Sequence, residues 1–600
     1  MRRAKKGSLL RTFLAAAFIV GCAENRPTAQ TTATVVSSSA AVAAVVARVN
    51  ALADDYVREY FEAFPELATV NDITSPRHDD RMGDNSVSAL ERWRAREDGW
   101  LAQVRGIDPV SLVGQPEWVT YGVLREQLEA GVQVRVCREE LWSVRHELGW
   151  LDILPTLAAA QPVETPEARA LALARWRDIG RFFEVEIAKL QQGLQLGYFA
   201  AKENVRRVVT LTDGLLTGPV EETLLFDPGK RAQDPEFSRQ LAAVIAKDIR
   251  PALGHYRDFL EKQYLPIARD QIAVAAIPGG AACYRAYIRL GTGLDLDPEQ
   301  VHQNGLAQVE RIEREMREIA ARSFGTTDLP ALFARLTTEK SFLFSGGEER
   351  LRSAREAVQR AKLAVPRAFG LQPKTDVEVR PFDFEGSDFY QPSPRLGRPA
   401  IYWASIHNAE REPRLEIETT AFHEAIPGHH LQGSIARERG QRLHPIARYF
   451  WNNGYGEGLA LYGERLAAEL GLFSDDLSRL GMLSGQSFRA ARLVVDSGIH
   501  AKGWSREQAI EYMLAHSAKS RVFVESEVDR YVGCPGQALG YMIGEIEIMA
   551  LRQKAQVRLG SRFDLKDFHD RVLEDGQLTL PLLRAKIDRW LDQSSDPVAH

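Results

Sequence analysis

The sequence predicts a mainly α-helical protein with a small β-sheet, and two long amphipathic patterns carry this prediction. The first helix should begin at Pro166, directly after a capping Thr165, with apolar residues at every third or fourth position behind it. The second should begin at Pro298, after Asp297, and repeats the same spacing. Strand-like segments are sparse, so helices should supply most of the core.

The composition is that of a large globular protein. With 600 residues, 44% of them hydrophobic, the chain is long enough for several domains or for one large two-lobed enzyme. Its net charge is -5, and basic residues form no long run outside the N-terminus. Nucleic-acid binding is therefore not expected, and nothing in the sequence indicates an obligate protein partner.

The N-terminus has the pattern of an export signal. Basic residues precede an apolar run from Leu9 to Val20, which is too short for a stable membrane anchor helix. The following Gly21-Cys22 completes a sequence similar to the bacterial lipobox, in which the cysteine is lipidated and becomes the mature N-terminus. The alternative is an ordinary cleaved signal. We expect a periplasm-facing lipoprotein held on a membrane through Cys22, and Ala23 favours the outer membrane.

Four segments are predicted along the chain. They are a lipoprotein signal peptide with a lipobox at 1–22, a flexible tether at 23–45, an N-terminal helical lobe at 46–280 and a catalytic helical lobe at 281–600. If Cys22 carries lipid, the cysteines that remain are Cys137, Cys283 and Cys534. An odd number at wide spacing does not indicate a disulfide framework.

The segment from Phe422 to Gln432 contains the strongest candidate for chemistry. In zincins of the HExxH type, two histidines four residues apart bind zinc, and the glutamate beside the first activates water. Here His423-Glu424 begins such a pattern, but Pro427 stands where the second histidine should be. His423 is therefore a predicted zinc ligand, and Glu424 is the predicted general base.

The next histidines are His429 and His430. On an unbroken helix an offset of six from His423 turns the side chain away, and an offset of seven climbs roughly 10 Å. The helix should therefore be distorted, since Pro427 removes a backbone donor and Gly428 permits unusual backbone angles. An extra-residue bulge would bring His429 back beside His423. His429 is the preferred second ligand, and His430 remains the alternative.

A third ligand is expected from a later helix. Glu457 and Glu464 are seven residues apart and would lie on one helix face. Glu457 is preferred because the glycines around it allow close approach of the backbone to a packed site, and Glu464 is held in reserve. The sequence thus predicts a Zn²⁺ site formed by His423, His429 and Glu457.

The clearest strand pattern lies at 399–405, just upstream of the histidines. An edge strand at this position could pair with an extended substrate backbone, and Tyr402 is then a candidate for contacting substrate. The alternative is a strand buried inside a small sheet.

A polar stripe lies on one otherwise apolar helix. Arg492, Asp496 and His500 recur every four residues along it. Such a stripe could line a cavity, in which Arg492 would contact substrate, Asp496 would orient a metal-binding histidine and His500 would donate to a developing oxyanion. The alternative is a satisfied internal salt-bridge network.

A tyrosine could also share the negative charge of a tetrahedral intermediate. Tyr541 is the first candidate for this role, and Tyr531, the second, is also a candidate for contacting substrate. Each could instead be a packed aromatic side chain.

Together these motifs resemble the bacterial domain of unknown function 885 family, which is grouped with the gluzincin metallopeptidases. The resemblance covers most of the mature chain and rests on segments 293–296, 305–306, 423–424, 427–430, 457–458, 460–462, 492–500, 504 and 535–538. It implies a two-lobed, zincin-like helical body with a deep cleft, similar to carboxypeptidases of the Taq type and to angiotensin-converting enzyme. It also implies zinc binding by His423, His429 and Glu457. Glu424 would be the base, while Leu459 replaces a tryptophan usual in the family.

We therefore expect a zinc-dependent peptidase that cuts short peptides in the cell envelope. Glu424 would activate water and then serve the leaving amine, while Tyr541 or His500 stabilises the oxyanion. A deep cleft should favour oligopeptides over folded proteins. Two alternatives remain, namely a metal-dependent amidase or esterase acting on non-peptide substrates, and a metal-free, non-catalytic helical binding lipoprotein.

Overall fold

The computed structural model describes residues 39–73, 77–383, 386–393 and 398–595. Within them the protein is mainly helical with one three-stranded sheet, so the predicted fold class is confirmed at that level. The predicted signal peptide, its Cys22 and residues 23–38 of the predicted tether lie outside the described residues. None of the helices in the described part of the chain is long and apolar enough to cross a membrane.

The helices of the N-terminal half begin earlier than predicted, because residues 39–45, expected in the tether, are already helical. These helices are α1 (Ser39–Ala63), α2 (Pro65–Val70), α3 (Val87–Arg105), α4 (Glu117–Val134), α5 (Trp150–Ala160), α6 (Pro166–Gln195), α7 (Lys202–Leu216), α8 (Asp227–Ala232), α9 (Pro235–Val244), α10 (Arg250–Phe259) and α11 (Gly280–Thr292).

The C-terminal half continues the helical pattern. Its helices are α12 (Pro298–Phe324), α13 (Leu329–Thr338), α14 (Gly347–Ala364), α15 (Ile417–Glu424), α16 (His429–Glu438), α17 (Pro445–Tyr449), α18 (Asn453–Glu469), α19 (Asp476–Lys502), α20 (Arg506–Ala515), α21 (Arg521–Gly533), α22 (Gly540–Leu559), α23 (Leu565–Leu573) and α24 (Leu580–Ser595).

Both amphipathic helices predicted from the sequence are present. The Thr165 side chain accepts a hydrogen bond from the backbone N–H of Ala168 at the start of α6. Asp297 and Gln300 form a reciprocal capping box at the start of α12. The apolar stripes of both helices are largely buried. Local spacing and capping residues therefore predicted these elements correctly.

The small sheet lies just before α15 in the chain. Strands β1 (Val377–Phe382) and β3 (Ala400–Ser405) pair in parallel, and β2 (Phe389–Gln391) pairs with β3 in antiparallel orientation. The predicted strand is β3, but both of its sides are already hydrogen-bonded, so it is central and not an edge strand. Tyr402 is fully buried in it, and its hydroxyl donates to Asp388 Oδ2 at 2.6 Å. The predictions that this strand pairs with substrate and that Tyr402 contacts it are wrong.

Two hydrophobic cores organise the helices. The larger contains buried residues from Val49 to Leu591, so α1, α3 and α4 pack together with the C-terminal helices. The smaller is confined to residues 82–268. Within the larger core, α12 packs along α19, α18 packs along α22, and α15 packs against α18. This arrangement brings the helix of the first histidine against the helix that carries Glu457.

Cys137 and Cys283 form a disulfide bond, which corrects the expectation from the cysteine count. Cys137 ends a short turn after α4, and Cys283 lies near the start of α11, which packs against α4. Their separation of 146 residues left no local signal, because the pairing depends on how distant helices pack. Cys534 is buried and is not part of this bond.

Candidate metal centre

The segment that carries the two histidines is a pair of helices and not one bulged helix. Helix α15 ends at Glu424, and α16 begins at His429 after an irregular connection. Gly428 permits the tight fold of this connection, because a Cβ atom there would lie 1.8 Å from the carbonyl oxygen of His423. The predicted bulge is therefore wrong in form. Its predicted consequence holds, since the His423 and His429 rings have centroids 4.8 Å apart.

Three side chains converge at this break. Nε2 of His423 lies 3.5 Å from Oε2 of Glu457, and Nε2 of His429 lies 3.3 Å from the same oxygen. Ligand atoms of the three residues all lie within 4.8 Å of one another, and no second group of this kind occurs among the described residues. Tetrahedral zinc with bonds of about 2.0–2.1 Å separates its ligand atoms by about 3.4 Å. The observed spacing therefore suits one shared ion.

The electrostatics of the group also suit a cation. Oε2 of Glu457 is buried and makes no hydrogen bond with any described residue, which is unfavourable for a carboxylate. Burial acts to raise the pKa of Glu457, but the two histidines hold it well below its usual range. The carboxylates of Glu424 and Glu464 also lie close to His423, and the guanidinium of Arg489 partly balances the charge of Glu464.

Glu464 contacts the other ring nitrogen of His423. Its Oε1 lies 2.8 Å from Nδ1 of His423, and the guanidinium of Arg489 lies 3.8 Å from the same oxygen. A carboxylate in this position fixes the orientation of the imidazole and leaves Nε2 available as a ligand atom. Glu464, the reserve candidate for the third ligand, therefore supports a candidate ligand.

The structure distinguishes between the two alternative histidines. His430 points away from the group, with Nε2 3.1 Å from the carbonyl oxygen of Thr375 and Nδ1 3.2 Å from Oγ of Ser434. His429 faces the group, and its ring packs against Trp451 with centroids 5.6 Å apart. Only His429 is therefore placed to share an ion with His423.

Helix α18 brings Glu457 to this point. Asn452 caps the helix by accepting a hydrogen bond from the backbone N–H of Tyr455. Gly458 follows Glu457 directly and lies where α18 crosses α22, so closely that a Cβ atom would come within 2.3 Å of Cα of Gly544. The expectation that glycines around Glu457 allow close packing is confirmed.

Glu424 lies beside the three candidate ligands and is partly exposed. Burial raises its pKa, while the charges of His429 and His423 act in the opposite direction. A raised pKa in a carboxyl group next to a cation site is a property expected of a residue that first accepts and then returns a proton.

Tyr541 approaches the group from α22. Its ring stacks on that of His423, with centroids 6.1 Å apart and an interplanar angle of 17°. Burial, with the charge of Glu457, raises the pKa of Tyr541 to about 12, so the hydroxyl keeps its proton. The residue is partly exposed, and the first-choice tyrosine is therefore close to the candidate ligands.

Tyr531 and Arg492 belong to a buried network instead. Nε of Arg492 donates to the Tyr531 hydroxyl at 2.9 Å, and its Nη2 pairs with Oε2 of Glu527 at 2.8 Å. The Tyr531 hydroxyl donates to the same carboxylate oxygen at 2.7 Å. The predicted substrate contacts of Tyr531 and Arg492 are therefore replaced by internal ones. The Arg492 guanidinium carbon lies 4.5 Å from the ring centroid of Tyr541, so the network packs against that tyrosine.

Asp496 and His500 are also internal, which corrects both predicted roles. The Asp496 carboxylate accepts hydrogen bonds from the Tyr284 hydroxyl at 2.7 Å and from the backbone N–H of Gly536. Nδ1 of His500 accepts from the backbone N–H of Val274, and Nε2 contacts a carbonyl oxygen at 3.0 Å. Asp496 therefore orients no candidate ligand, and His500 has no free donor for an oxyanion.

Sequence reasoning missed two neighbours of the group. Trp451 packs against His429, and the available signal was a tryptophan directly before Asn452, a residue type that favours the start of a helix. Asp388 accepts hydrogen bonds from the Tyr402 hydroxyl and from the backbone N–H of Ser405, and its charge acts on Glu424. Asp388 lies in an irregular segment before β2, so no periodic pattern could have identified it.

The chain is similar to a family and to two solved structures. Residues 65–587 match the family described as "Bacterial protein of unknown function (DUF885)". A crystal structure of a "putative lipoprotein" from Colwellia psychrerythraea has a TM-score of 0.84 and 26% identity, covering 92% of this chain and 99% of that one. A "putative lipoprotein of unknown function" from Shewanella oneidensis has a TM-score of 0.70 and 17% identity, covering 89% and 98%. No curated protein matches the chain. The protein therefore belongs to the DUF885 family.

Proposed function

We propose that this protein is a zinc-dependent peptidase that hydrolyses short peptides in the cell envelope. The observation that carries the proposal is the convergence of Nε2 of His423, Nε2 of His429 and Oε2 of Glu457. Three protein ligands from two histidines and one carboxylate are typical of catalytic zinc sites, whereas structural sites use four.

The residues around the proposed site divide the chemistry among them. When bound, a zinc ion would polarise a peptide carbonyl group and lower the pKa of a water molecule. Glu424 accepts the proton of the attacking water, because the charges of His423, His429 and Glu457 act on its carboxylate at close range. Its raised pKa favours uptake of that proton, which Glu424 then returns to the leaving amine. Glu464 holds His423 in the tautomer that presents Nε2.

Tyr541 is the proposed donor to the oxyanion. Its hydroxyl is protonated, its ring stacks on His423, and the residue is partly exposed. His500, the other candidate, is not proposed for this role because both of its ring nitrogens already have partners. The Arg492 guanidinium packs on the Tyr541 ring and holds it in place.

Three observations support a location in the envelope. The N-terminal sequence resembles a lipobox at Cys22, two similar structures are named as putative lipoproteins, and Cys137 and Cys283 form a disulfide. The outer membrane is proposed on Ala23 alone. A two-lobed, zincin-like body with a deep cleft and membership of the gluzincin group belong to the same proposal. They are implied by the family resemblance, and the histidine and glutamate arrangement supports only the zincin-like site.

The test compares wild type with Glu424→Gln on a mixed peptide pool, with zinc measured by elemental analysis. Wild type should hold near-stoichiometric zinc, and Glu424→Gln should keep that zinc but lose roughly 100-fold or more in peptide cleavage. Glu410→Gln is the matched control, because Glu410 is an exposed residue of the same charge. His423→Ala should lose the zinc. Equal cleavage by wild type and Glu424→Gln would remove the proposed mechanism.

The alternatives are separate outcomes of the same test. Zinc binding with Glu424-dependent turnover of esters or cell-wall fragments, but not of peptides, would favour the amidase or esterase. Protein that binds no zinc under saturating conditions and cleaves nothing would favour the binding lipoprotein.

A further inference from the structure

A cavity lies among the N-terminal helices, and no residue assigned to the candidate metal centre lines it. Its volume is about 360 Å³, which is in the range of small-molecule sites. Helices α1 to α5 and α11 contribute residues to its wall. The cavity therefore has to be explained separately from the proposed zinc chemistry.

Aromatic rings form much of the wall of this cavity. They are Tyr56, Tyr60, Phe64, Trp93 and Trp150, here called the aromatic cage. Three of these rings contact one another. The ring centroids lie 5.0 Å apart for Tyr60 and Phe64, 5.5 Å for Phe64 and Trp93, and 6.0 Å for Tyr60 and Trp93. All members except Tyr56 are only partly buried, so part of their surface remains accessible to a ligand.

The charged groups of the wall are all negative. Glu66 and Glu97 line the cavity, and no lysine or arginine of the described residues does. Glu97 forms an ion pair at 2.8 Å with Arg135, and Arg135 does not itself line the cavity. Glu66 accepts a hydrogen bond from the backbone N–H of Gly83, and the charges of Arg175 and Arg181, which do not line the cavity, act to lower its pKa. Burial raises the pKa of both carboxyl groups, and a bound cation would favour their charged forms.

We propose that the aromatic cage binds an alkylammonium group, with the cation facing the ring surfaces and the Glu66 carboxylate. Aromatic faces attract ammonium groups, and this attraction increases when the cation is removed from water. An anion would instead meet two carboxylates, whereas a cation would be attracted to them. The combination of partly open rings with an acidic lining that contains no lysine or arginine therefore favours a cation that has apolar surface.

The cage is connected to the candidate metal centre by two consecutive residues. Phe450 packs on Tyr60 with ring centroids 4.8 Å apart, and Trp451 packs on His429 at 5.6 Å. The alkylammonium group could belong to a free small amine or to a peptide, and the second source rests on the proposed function. In either case the chemistry recognised by the cage is the same.

Calorimetric titration of the wild-type protein with two probes of equal shape tests the proposal. Choline carries a quaternary ammonium, and 3,3-dimethylbutan-1-ol is its neutral analogue. Choline should bind about tenfold or more tightly than the alcohol. Equal affinity for both probes, or no binding of choline, would overturn the proposal. This comparison needs no substitution and therefore does not depend on the folding of a variant.

Variants locate the binding site. Glu66→Gln keeps the acceptor for Gly83 but removes the charge, and it should weaken choline binding by about tenfold. Glu91→Gln, an exposed glutamate on α3 outside the cavity, should not change it. An equal effect of the two substitutions would place the binding elsewhere and overturn the proposal.

Two further experiments are needed. The first distinguishes a free amine from a peptide as the source of the ligand, and the second distinguishes failure of this proposal from failure of the proposed function. A peptide with a free N-terminus that competes with choline, while its acetylated form does not, would identify a peptide as the source. Choline binding without such competition would identify a free amine. His423→Ala should bind choline as wild type does, because His423 does not line the cavity. Choline binding by a protein that hydrolyses nothing would refute only the proposed function.

Discussion

Gly458→Ala is the substitution by which helix packing and the candidate metal centre can be tested together. In the structure a Cβ atom at this position would lie 2.3 Å from Cα of Gly544 and 2.5 Å from its carbonyl carbon. Carbon atoms in contact lie about 3.5 Å or more apart, so α18 and α22 would have to separate by about 1 Å. Both neighbouring atoms belong to the backbone, and no side chain can turn away to relieve the contact.

The expected loss follows from this displacement. Overpacking costs about 1–3 kcal/mol, and alanine recovers roughly 1 kcal/mol of it through its better helix propensity. The free energy of unfolding should therefore fall by up to about 2 kcal/mol. Glu457 is the adjacent residue, so a shift of about 1 Å would also disturb its 3.3 and 3.5 Å spacing to the two histidines. Zinc affinity should fall by about tenfold or more.

Competition with a chromogenic chelator measures the zinc affinity. Thermal unfolding without metal measures the loss of stability that the contact between α18 and α22 causes. Gly99→Ala is the matched control, because Gly99 lies inside α3 and a Cβ atom there meets nothing within 4 Å. The control should be neutral or slightly stabilising. If Gly458→Ala unfolds at the same temperature as wild type, the packing argument is wrong. If it unfolds earlier yet binds zinc unchanged, Glu457 is not a ligand.

Three further predictions address other parts of the molecule. Glu464→Gln should weaken zinc binding by about 10–100-fold in the same chelator competition, because the replacement holds His423 less firmly, and unchanged affinity would contradict this role. Replacing Cys137 and Cys283 by serine should lower the free energy of unfolding by about 3–5 kcal/mol, and a reductant should then destabilise wild type but not the double variant. Burial raises the pKa of Asp496 to about 7, above its value in the unfolded chain. The free-energy cost of folding with a charged Asp496 is therefore absent below about pH 4 and complete above about pH 7. Wild type should therefore lose up to about 4 kcal/mol relative to Asp496→Asn as pH rises through this window, and a difference that is constant with pH in denaturant unfolding would refute the assignment.

The features predicted correctly from the sequence depend on local spacing. Helices α6 and α12 follow from caps and from apolar residues at every third or fourth position, because both signals act within a few residues. The convergence of His423 and His429 was predictable for a similar reason, since Pro427 disrupts a continuing helix and Gly428 permits backbone angles outside it. The form of the break was not predictable, because it depends on what packs around it.

The incorrect predictions share a physical cause. Asp496 and His500 lie on one polar stripe, as expected, but their partners come from Tyr284, Val274 and Gly536, far away in the chain. A stripe of polar residues on an apolar helix has the same spacing whether it faces a cavity or a set of internal partners. The central position of β3 and the disulfide of Cys283 escaped prediction for the same reason, because each requires a contact between distant segments.

The crossing of α18 and α22 fixes the positions of the candidate ligand Glu457 and of Tyr541 relative to each other. Glu457 precedes Gly458, and Tyr541 lies about one turn before Gly544, so the glycine contact sets both side chains relative to the same point. Leu459, directly after Gly458, is buried in the larger core. A substitution that separates the helices should therefore move the candidate ligand and the candidate oxyanion donor together, whereas one at Leu459 should affect stability before it affects zinc binding.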